Sequence, residues 1–157
     1  MWEHTNKVLQ EYAILVRNKY QDSLIKNDRI ATGDLLNNVE YHIKIGEQHL
    51  EVSLNLQDYW RFVEWDTKPH FPPIDAILKY IEAKPINPRE DDKGRLPTPR
   101  QLAYLIGRKI SEEGTTGTHD LENTLKEVNA LYMDKIEEAV LDDVMEDLNI
   151  IISQIIL

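Results

Sequence analysis

The spacing of the apolar residues changes twice along these 157 residues, and that change constrains the fold more than any motif does. From about Glu3 to Lys26, Val8, Leu9, Tyr12, Leu15, Val16 and Tyr20 recur at helical spacing. Lys7, Glu11, Arg17, Asn18 and Gln21 fill the opposite face, and neither Gly nor Pro interrupts the run. One long amphipathic helix is predicted, with Asn27-Asp28 and Thr32-Gly33 marking its exit. From Leu35 to about Val63 the period becomes two. Val39, Tyr41, Ile43 and Ile45 share one face and Glu40, His42 and Lys44 the other, and the residues from His49 to Leu54 alternate again. With Tyr59–Val63 read as a third short strand, the pattern predicts an antiparallel meander, one face of which packs on the first helix.

Helical spacing then returns. Pro73 stands where its missing N–H costs nothing, ahead of a short apolar stripe of Ile74, Ile77, Leu78 and Ile81. Residues 87–97, with two prolines, a glycine and a charge run, read as a loop. Thr98-Pro99-Arg100-Gln101 has the form of a capping box with Pro in the first turn, and Leu102, Leu105, Ile106 and Ile110 are the expected buried face. Gly114-Thr115-Thr116-Gly117-Thr118 reads as a flexible joint. A final helix carries Leu121, Leu125, Val128, Tyr132, Ile136, Val140, Val144, Leu148, Ile151 and Ile155 at intervals of three or four. The expected class is α+β: a long N-terminal helix packed on a small antiparallel β-meander, followed by further helices including a long C-terminal one. Length argues for a single domain over 1–157, with a core of about 3–112 and a helical extension of about 119–157.

Composition narrows the chemistry. The absence of cysteine excludes disulfides, thiolate metal sites and Cys nucleophiles. No basic segment followed by an apolar run opens the chain, and no apolar run approaches the ~20 residues of a membrane span, so a soluble protein is expected. A formal charge of −10 argues against general nucleic-acid binding, although Lys84, Arg89, Lys93, Arg95 and Arg100 form a local basic stretch. None of the five histidines lies three or four residues from another, so no metal site is expected. His42 and His49 could meet across a hairpin, but a polar strand face explains them better. Adjacent carboxylates at Glu112-Glu113, Glu137-Glu138 and Asp142-Asp143 point in different directions on a helix and read as solvated faces rather than an acid–base pair. The Gly114–Thr118 run lacks the Lys-Ser/Thr ending of a phosphate loop, and no serine has a glycine elbow. Neither an enzyme nor a cofactor is expected.

The stretch Tyr59–Pro73, YWRFVEWDTKPHFPP, combines clustered aromatics, an isolated Glu64 and a Pro pair, and it reads as a tightly specified corner. With its surroundings it carries a resemblance. Thr32, Gly33 and Leu35 match a Thr-Gly-x-Leu pattern, and Tyr59, Phe62, Val63, Glu64, Trp65, Thr67, Lys68 and Pro69 match an aromatic strand and turn. Pro72-Pro73 with Ile77 and Tyr80, Ala103–Ile110, and Gly114-Thr115 with Gly117-Thr118 follow in order. Over about 30–125 the chain resembles the tail-completion (neck) proteins of tailed bacteriophages. It departs at Asn38, where Ser is usual, at Asp66, where the turn has Gly, and at Tyr80, where Trp is usual. Asp66 bears on the turn, because glycine permits positive φ at no cost.

The resemblance implies a structural virion protein in the neck or tail, present in the host cytoplasm during assembly. It implies a homo-oligomeric ring that meets other neck, portal-adaptor or tail proteins, with DNA passing through the lumen without specific binding and no membrane contact. Candidate assembly contacts are Glu64, Trp65, Asp66, Lys68 and His70 at the corner, Arg89 and Arg95 in the loop, and Ile151, Ile152 and Ile155 in the tail. The corner aromatics are expected to be mainly packing, and the apolar tail either packs on its own domain or docks on a neighbour. The alternative is an acidic protein that inhibits a nucleic-acid-binding partner by mimicking DNA charge. A small enzyme with a site assembled from distant residues is the weaker third reading.

Overall fold

The computed structural model describes residues 2–29, 33–46, 49–84, 86–90 and 92–155. In order they form α1 (Glu3–Lys26), α2 (Asp34–Asn37), β1 (Glu40–Ile45), β2 (Leu50–Asn55), α3 (Trp60–Glu64), α4 (Ile74–Ala83), α5 (Pro99–Glu113) and α6 (Asp120–Ile155). The class is α+β, with a long helix at each end. The contacts group into two compact units. Unit 1 joins 1–23, 39–56 and 120–157, and unit 2 joins 24–38 and 57–119. The formal charge of −10 falls entirely on unit 1, which carries 16 Asp and Glu against 6 Lys and Arg, whereas unit 2 carries 12 of each.

In unit 1, α6 runs antiparallel along α1 rather than extending from the core. Ser23 donates to Asp120, Lys19 pairs with Glu127, the Tyr12 hydroxyl donates to Asn129 (2.7 Å), and the first turn of α1 meets Asp143. Thr5, Leu9, Ala13, Val16 and Tyr20 are buried along α1, and Leu121, Thr124, Val128, Ala139 and Asp143 along α6. The α1 line keeps intervals of three or four residues, and the α6 line does so once half-buried Tyr132 and Ile136 are included, as two facing helices require. Small Ala13 and Ala139, joined by Thr5, enter a stripe that the sequence suggests only through its larger members. Burial pushes the Tyr12 pKa up.

The hairpin β1–β2 is antiparallel, pairing Glu40 with Asn55 and Ile45 with Leu50. In β1, Tyr41, Ile43 and Ile45 are shielded while Glu40, His42 and Lys44 face outward, as the alternation predicts. The Arg17 guanidinium lies 5.6 Å from the Tyr41 ring centroid and ties the hairpin to α1. His42 bonds Asn55 (3.0 Å) and the His49 ring covers Gly46, so the two histidines have separate roles.

Unit 2 corrects two expectations of strand. Residues 60–64 form a helix, not a third strand, so the described sheet is a two-stranded hairpin rather than a meander. The turn bonds Trp60 N–H to Gln57 C=O and Phe62 N–H to Tyr59 C=O start the coil. Aromatic and β-branched side chains favour strands only where a neighbouring strand accepts them, and Tyr-Trp-Arg-Phe-Val lacks the period-two alternation that would seat it in one. The Thr32–Leu35 segment does not open a β region either: Gly33 turns with φ 84° into α2, and Thr32 lies outside the described residues.

Helices α4 and α5 pack through Ile77, Ala103 and Gly107, all buried. A Cβ on Gly107 would come within 2.9 Å of the Phe71 ring and 3.3 Å of Ile77 Cδ1, so the close approach of these helices depends on its absence. Ile106 and Ile110 are partly buried as expected, whereas Leu105, expected in the buried face, is 45% exposed because small residues occupy the contact line. The capping box is formed in full: Gln101 N–H donates to Thr98 Oγ1 (3.3 Å) and Thr98 N–H to Gln101 Oε1 (2.9 Å). Thr98→Ala is expected to cost about 1 kcal/mol of stability, and urea denaturation measures it.

Candidate assembly surfaces

The corner is built by two crossing segments of unit 2. Residues 65–67 leave α3 extended, and residues 114–119 leave α5 and run across them and the end of α3. Thr67 and Thr115 exchange both backbone hydrogen bonds (2.9 and 3.3 Å), and their hydroxyls lie 2.7 Å apart. Thr118 N–H donates to Val63 C=O and His119 N–H to Glu64 C=O. The Asp66 carboxylate accepts the Gly117 N–H at 2.8 Å. The expected flexible joint is therefore a hydrogen-bonded strap. Its glycines permit close passage: a Cβ on Gly114 would stand 2.1 Å from Thr67 O, and one on Gly117 2.3 Å from Glu64 O.

The strap reverses the expected roles inside the corner. Glu64, a candidate contact, is 2% exposed, so its side chain offers no surface to a partner, and its carbonyl accepts the His119 N–H. The aromatics expected to pack stand partly in the open, with Phe62 66% exposed and Trp65 46%. Trp65 still rests on Trp60, ring centroids 5.2 Å apart. Asp66, Lys68 and His70 are exposed, as a contact role requires. The His70 ring is 2.8 Å from Lys68 C=O, which orients it. Asp66 is not among the described non-glycine residues with positive φ, so aspartate replaces glycine here without backbone strain and contributes a carboxylate that holds the strap.

Next to the corner lies an open apolar cleft of about 610 Å³, walled by Tyr59, Phe62, Pro73, Ile77, Tyr80 and Ile110, with Arg29 and His70 among its polar residues. Lys84 does not join the basic stretch as a free cation, since it pairs with the Asp28 carboxylate and carbonyl. Arg89 and Arg95 are exposed and meet Arg100 at a second cleft of about 720 Å³, floored by Leu96, Tyr104 and Leu105. Ile151, Ile152 and Ile155 are 52%, 51% and 77% exposed at the end of α6 in unit 1. The corner residues and the Arg89–Arg95 group thus belong to unit 2, where His70 and the two arginines line different clefts, and the tail isoleucines belong to unit 1.

Sequence reasoning missed the most specific polar contact of unit 1. Asp143, read as part of a solvated acidic pair, is 3% exposed and accepts the backbone N–H groups of His4 (3.0 Å) and Thr5 (2.8 Å). Trp2, at φ 65°, precedes α1 and has no side-chain acceptor, so a carboxylate 139 residues away caps the helix. Burial pushes the Asp143 pKa up, but the hydrogen bonds from Thr5 and His4 and the neighbouring His4 more than offset it and hold the carboxyl below its ordinary value. The visible signal was positional, because Asp143 follows Val128, Tyr132, Ile136 and Ala139 on one line of the helix. His4, Asp143 and Glu146 also bring their ligand-type atoms within 4.8 Å of one another. Both Asp143 oxygens are already accepting backbone N–H groups, so the arrangement is that of a helix cap with a flanking His4–Glu146 pair at 3.8 Å.

Among the described residues no helix is long and apolar enough to cross a membrane. The positions matched in the sequence, from Thr32 to Thr118, lie within unit 2. No family model, curated protein or solved structure matches this chain.

Proposed function

We propose that this chain is a structural protein that forms a homo-oligomeric ring at the head–tail junction of a tailed bacteriophage, between portal-side and tail proteins. The observation that carries the reading is the strap-and-corner arrangement. The residues on which the resemblance rests, Tyr59–Pro73 and Gly114–Thr118, are distant in sequence but interlock through backbone hydrogen bonds and glycine contacts. A shared local build explains why such residues would occur together in order. The exposed apolar end of α6 supports an assembly role as well, since eight apolar side chains from Leu141 to Ile155 are 40–77% exposed, and leaving them in water forfeits the gain of burial. Subunits in a ring meet through heterologous contacts that close by rotation.

The charge of unit 1 agrees with a channel that passes DNA without gripping it, because a lumen lined with carboxylates repels phosphates. Electron microscopy of the purified protein and of virions tests the reading: rings are expected, and particles without one in either sample overturn it. With the α6 carboxylates reversed to lysine, genome ejection is expected to slow; unchanged ejection removes the lumen assignment. The same concentration of acid on one unit favours a second reading, an acidic DNA mimic that occupies a nucleic-acid-binding partner. Absence of rings together with displacement of DNA from such a partner would establish it.

A further inference from the structure

The described sheet is a single hairpin in unit 1, and an isolated hairpin has little stability of its own. Gly46 N–H donates to His49 C=O (2.9 Å), so that pair is hydrogen-bonded across the hairpin. By alternation the pairs Lys44–Glu51, His42–Ser53 and Glu40–Asn55 are hydrogen-bonded too. The backbone groups of Glu40, His42 and Lys44 are therefore taken up by β2, and those of Tyr41, Ile43 and Ile45 point to the outer edge of β1. No described strand pairs with that edge, and its backbone groups have no hydrogen bond among the described residues. The side chains of Tyr41, Ile43 and Ile45 are half-buried on one face, and those of Glu40, His42 and Lys44 are exposed on the other. Neither Glu40 nor Lys44 forms an ion pair among the described residues. Charges on an edge strand ordinarily keep a second chain away. Here the two are of opposite sign and stand at equal spacing on either side of His42.

We infer that the outer edge of β1 pairs antiparallel with the same edge of a second copy, about a two-fold axis at His42, with Glu40 of each strand opposite Lys44 of the other. The register satisfies backbone and side chains together. Tyr41 of one strand falls opposite Ile43 of the other, and these are the residues whose N–H and C=O groups face outward, so each such pair exchanges both hydrogen bonds. Their side chains meet on the shielded face, an aromatic with a β-branched residue. Glu40 and Lys44 meet on the exposed face in both halves of the contact, and His42 faces itself. Charge excludes the neighbouring registers. A slip of two residues sets Glu40 or Lys44 against His42, and a slip of four sets Glu40 against Glu40 or Lys44 against Lys44. An odd slip turns the apolar face outward. Charge also decides between occupants. In the register that β2 already keeps, a second copy's β2 would set Lys44 between two copies of Glu51 and leave Glu40 opposite Asn55. The contact is isologous and closes at two copies, so it goes beyond the heterologous contacts of a ring and does not rest on them.

The natural absence of cysteine makes a direct test possible. In the inferred register the two His42 Cα atoms lie about 4.5 Å apart, within the span of a disulfide, whereas two copies of residue 40, or of residue 44, are more than about 13 Å apart. Full-length His42→Cys is therefore expected to form a linked dimer under mild oxidation, and Glu40→Cys or Lys44→Cys alone is not. A mixture of Glu40→Cys with Lys44→Cys is expected to link. Analytical ultracentrifugation reads the contact without a crosslink. The wild-type chain is expected to dimerise with rising concentration, and Glu40→Lys or Lys44→Glu to weaken the dimer about tenfold, because like charges then face each other. Combining the two substitutions reverses both pairs and should restore the wild-type value, an outcome that misfolding does not produce. A wild-type chain that stays monomeric overturns the inference, as does a dimer in which His42→Cys fails to link. Linkage of His42→Cys with Ser53→Cys in excess of His42→Cys with itself would show β1 pairing with β2 and overturns it too. Microscopy keeps the two claims apart. Rings without the His42→Cys link refute this contact alone, and the link without rings refutes the ring alone.

Discussion

Gly117→Ala is expected to destabilise unit 2 by at least about 3 kcal/mol, more than any other single-methyl addition except Gly114→Ala. The new Cβ would lie 2.3 Å from Glu64 O and 2.5 Å from the Trp65 carbonyl carbon, inside any real contact distance. These are backbone atoms, so no side chain can turn away. The strap must lift, and lifting it breaks the Gly117–Asp66 and Thr118–Val63 hydrogen bonds. Gly114→Ala adds a second penalty, since φ there is 75° in addition to the 2.1 Å overlap with Thr67 O. Thr116→Ala, at an exposed position where Arg29 bonds the backbone carbonyl, is the control and should stay within about 0.5 kcal/mol of the parent. Chemical denaturation measures the loss, and hydrogen exchange at the Thr67, Thr118 and His119 amides locates it. A Gly117→Ala protein with unchanged midpoint and unchanged protection would show that the strap is not held where the structure puts it.

Asp143→Ala is expected to cost about 2 kcal/mol, through two backbone N–H groups left without their charged acceptor and a helix N-terminus left without its anion. Asp143→Asn should lie between, because an amide has one acceptor oxygen for two donors. The pH dependence has a definite sign. The folded-state pKa of Asp143 is depressed, so the native state binds its proton less readily than the unfolded chain does. Its contribution is complete above the ordinary carboxylate pKa and is lost as pH falls through the depressed folded value. Between neutrality and acid, wild type therefore loses stability that Asp143→Asn never had, and the two stability curves converge. Parallel curves across that range would show that the carboxylate is not the group that caps α1.

The period of Val8 to Tyr20 predicts α1, and the period-two run from Glu40 to Ile45 predicts β1, because each pattern must bury one face at its own geometric repeat. Thr98–Gln101 is equally legible, since a capping box is local chemistry that depends on four consecutive residues. Tyr59–Val63 misleads for the same reason: its strand preference is real only beside another strand, and none is there. Asp143 and Glu64 look like surface charges in a sequence because burial is decided by what arrives from elsewhere, as α1 does at Asp143. Leu105 turns outward because Ala103 and Gly107 let α4 come close, and small residues leave no mark in an apolar count.

Interactions between residues a few positions apart account for the α+β class, the two long helices, the hairpin face and the α5 cap, and the lack of cysteine alone excludes its chemistry. Contacts between distant segments are what return α6 along α1, make the Gly114–Thr118 run a clasp rather than a joint, and choose which carboxylates are buried. They also separate an acidic unit from a neutral one in a chain whose summed charge looked uniform. Those outcomes depend on pairs such as Thr67 with Thr115 and Thr5 with Asp143, brought together by backbone hydrogen bonds and close glycine contacts that carry no periodic signal along the chain.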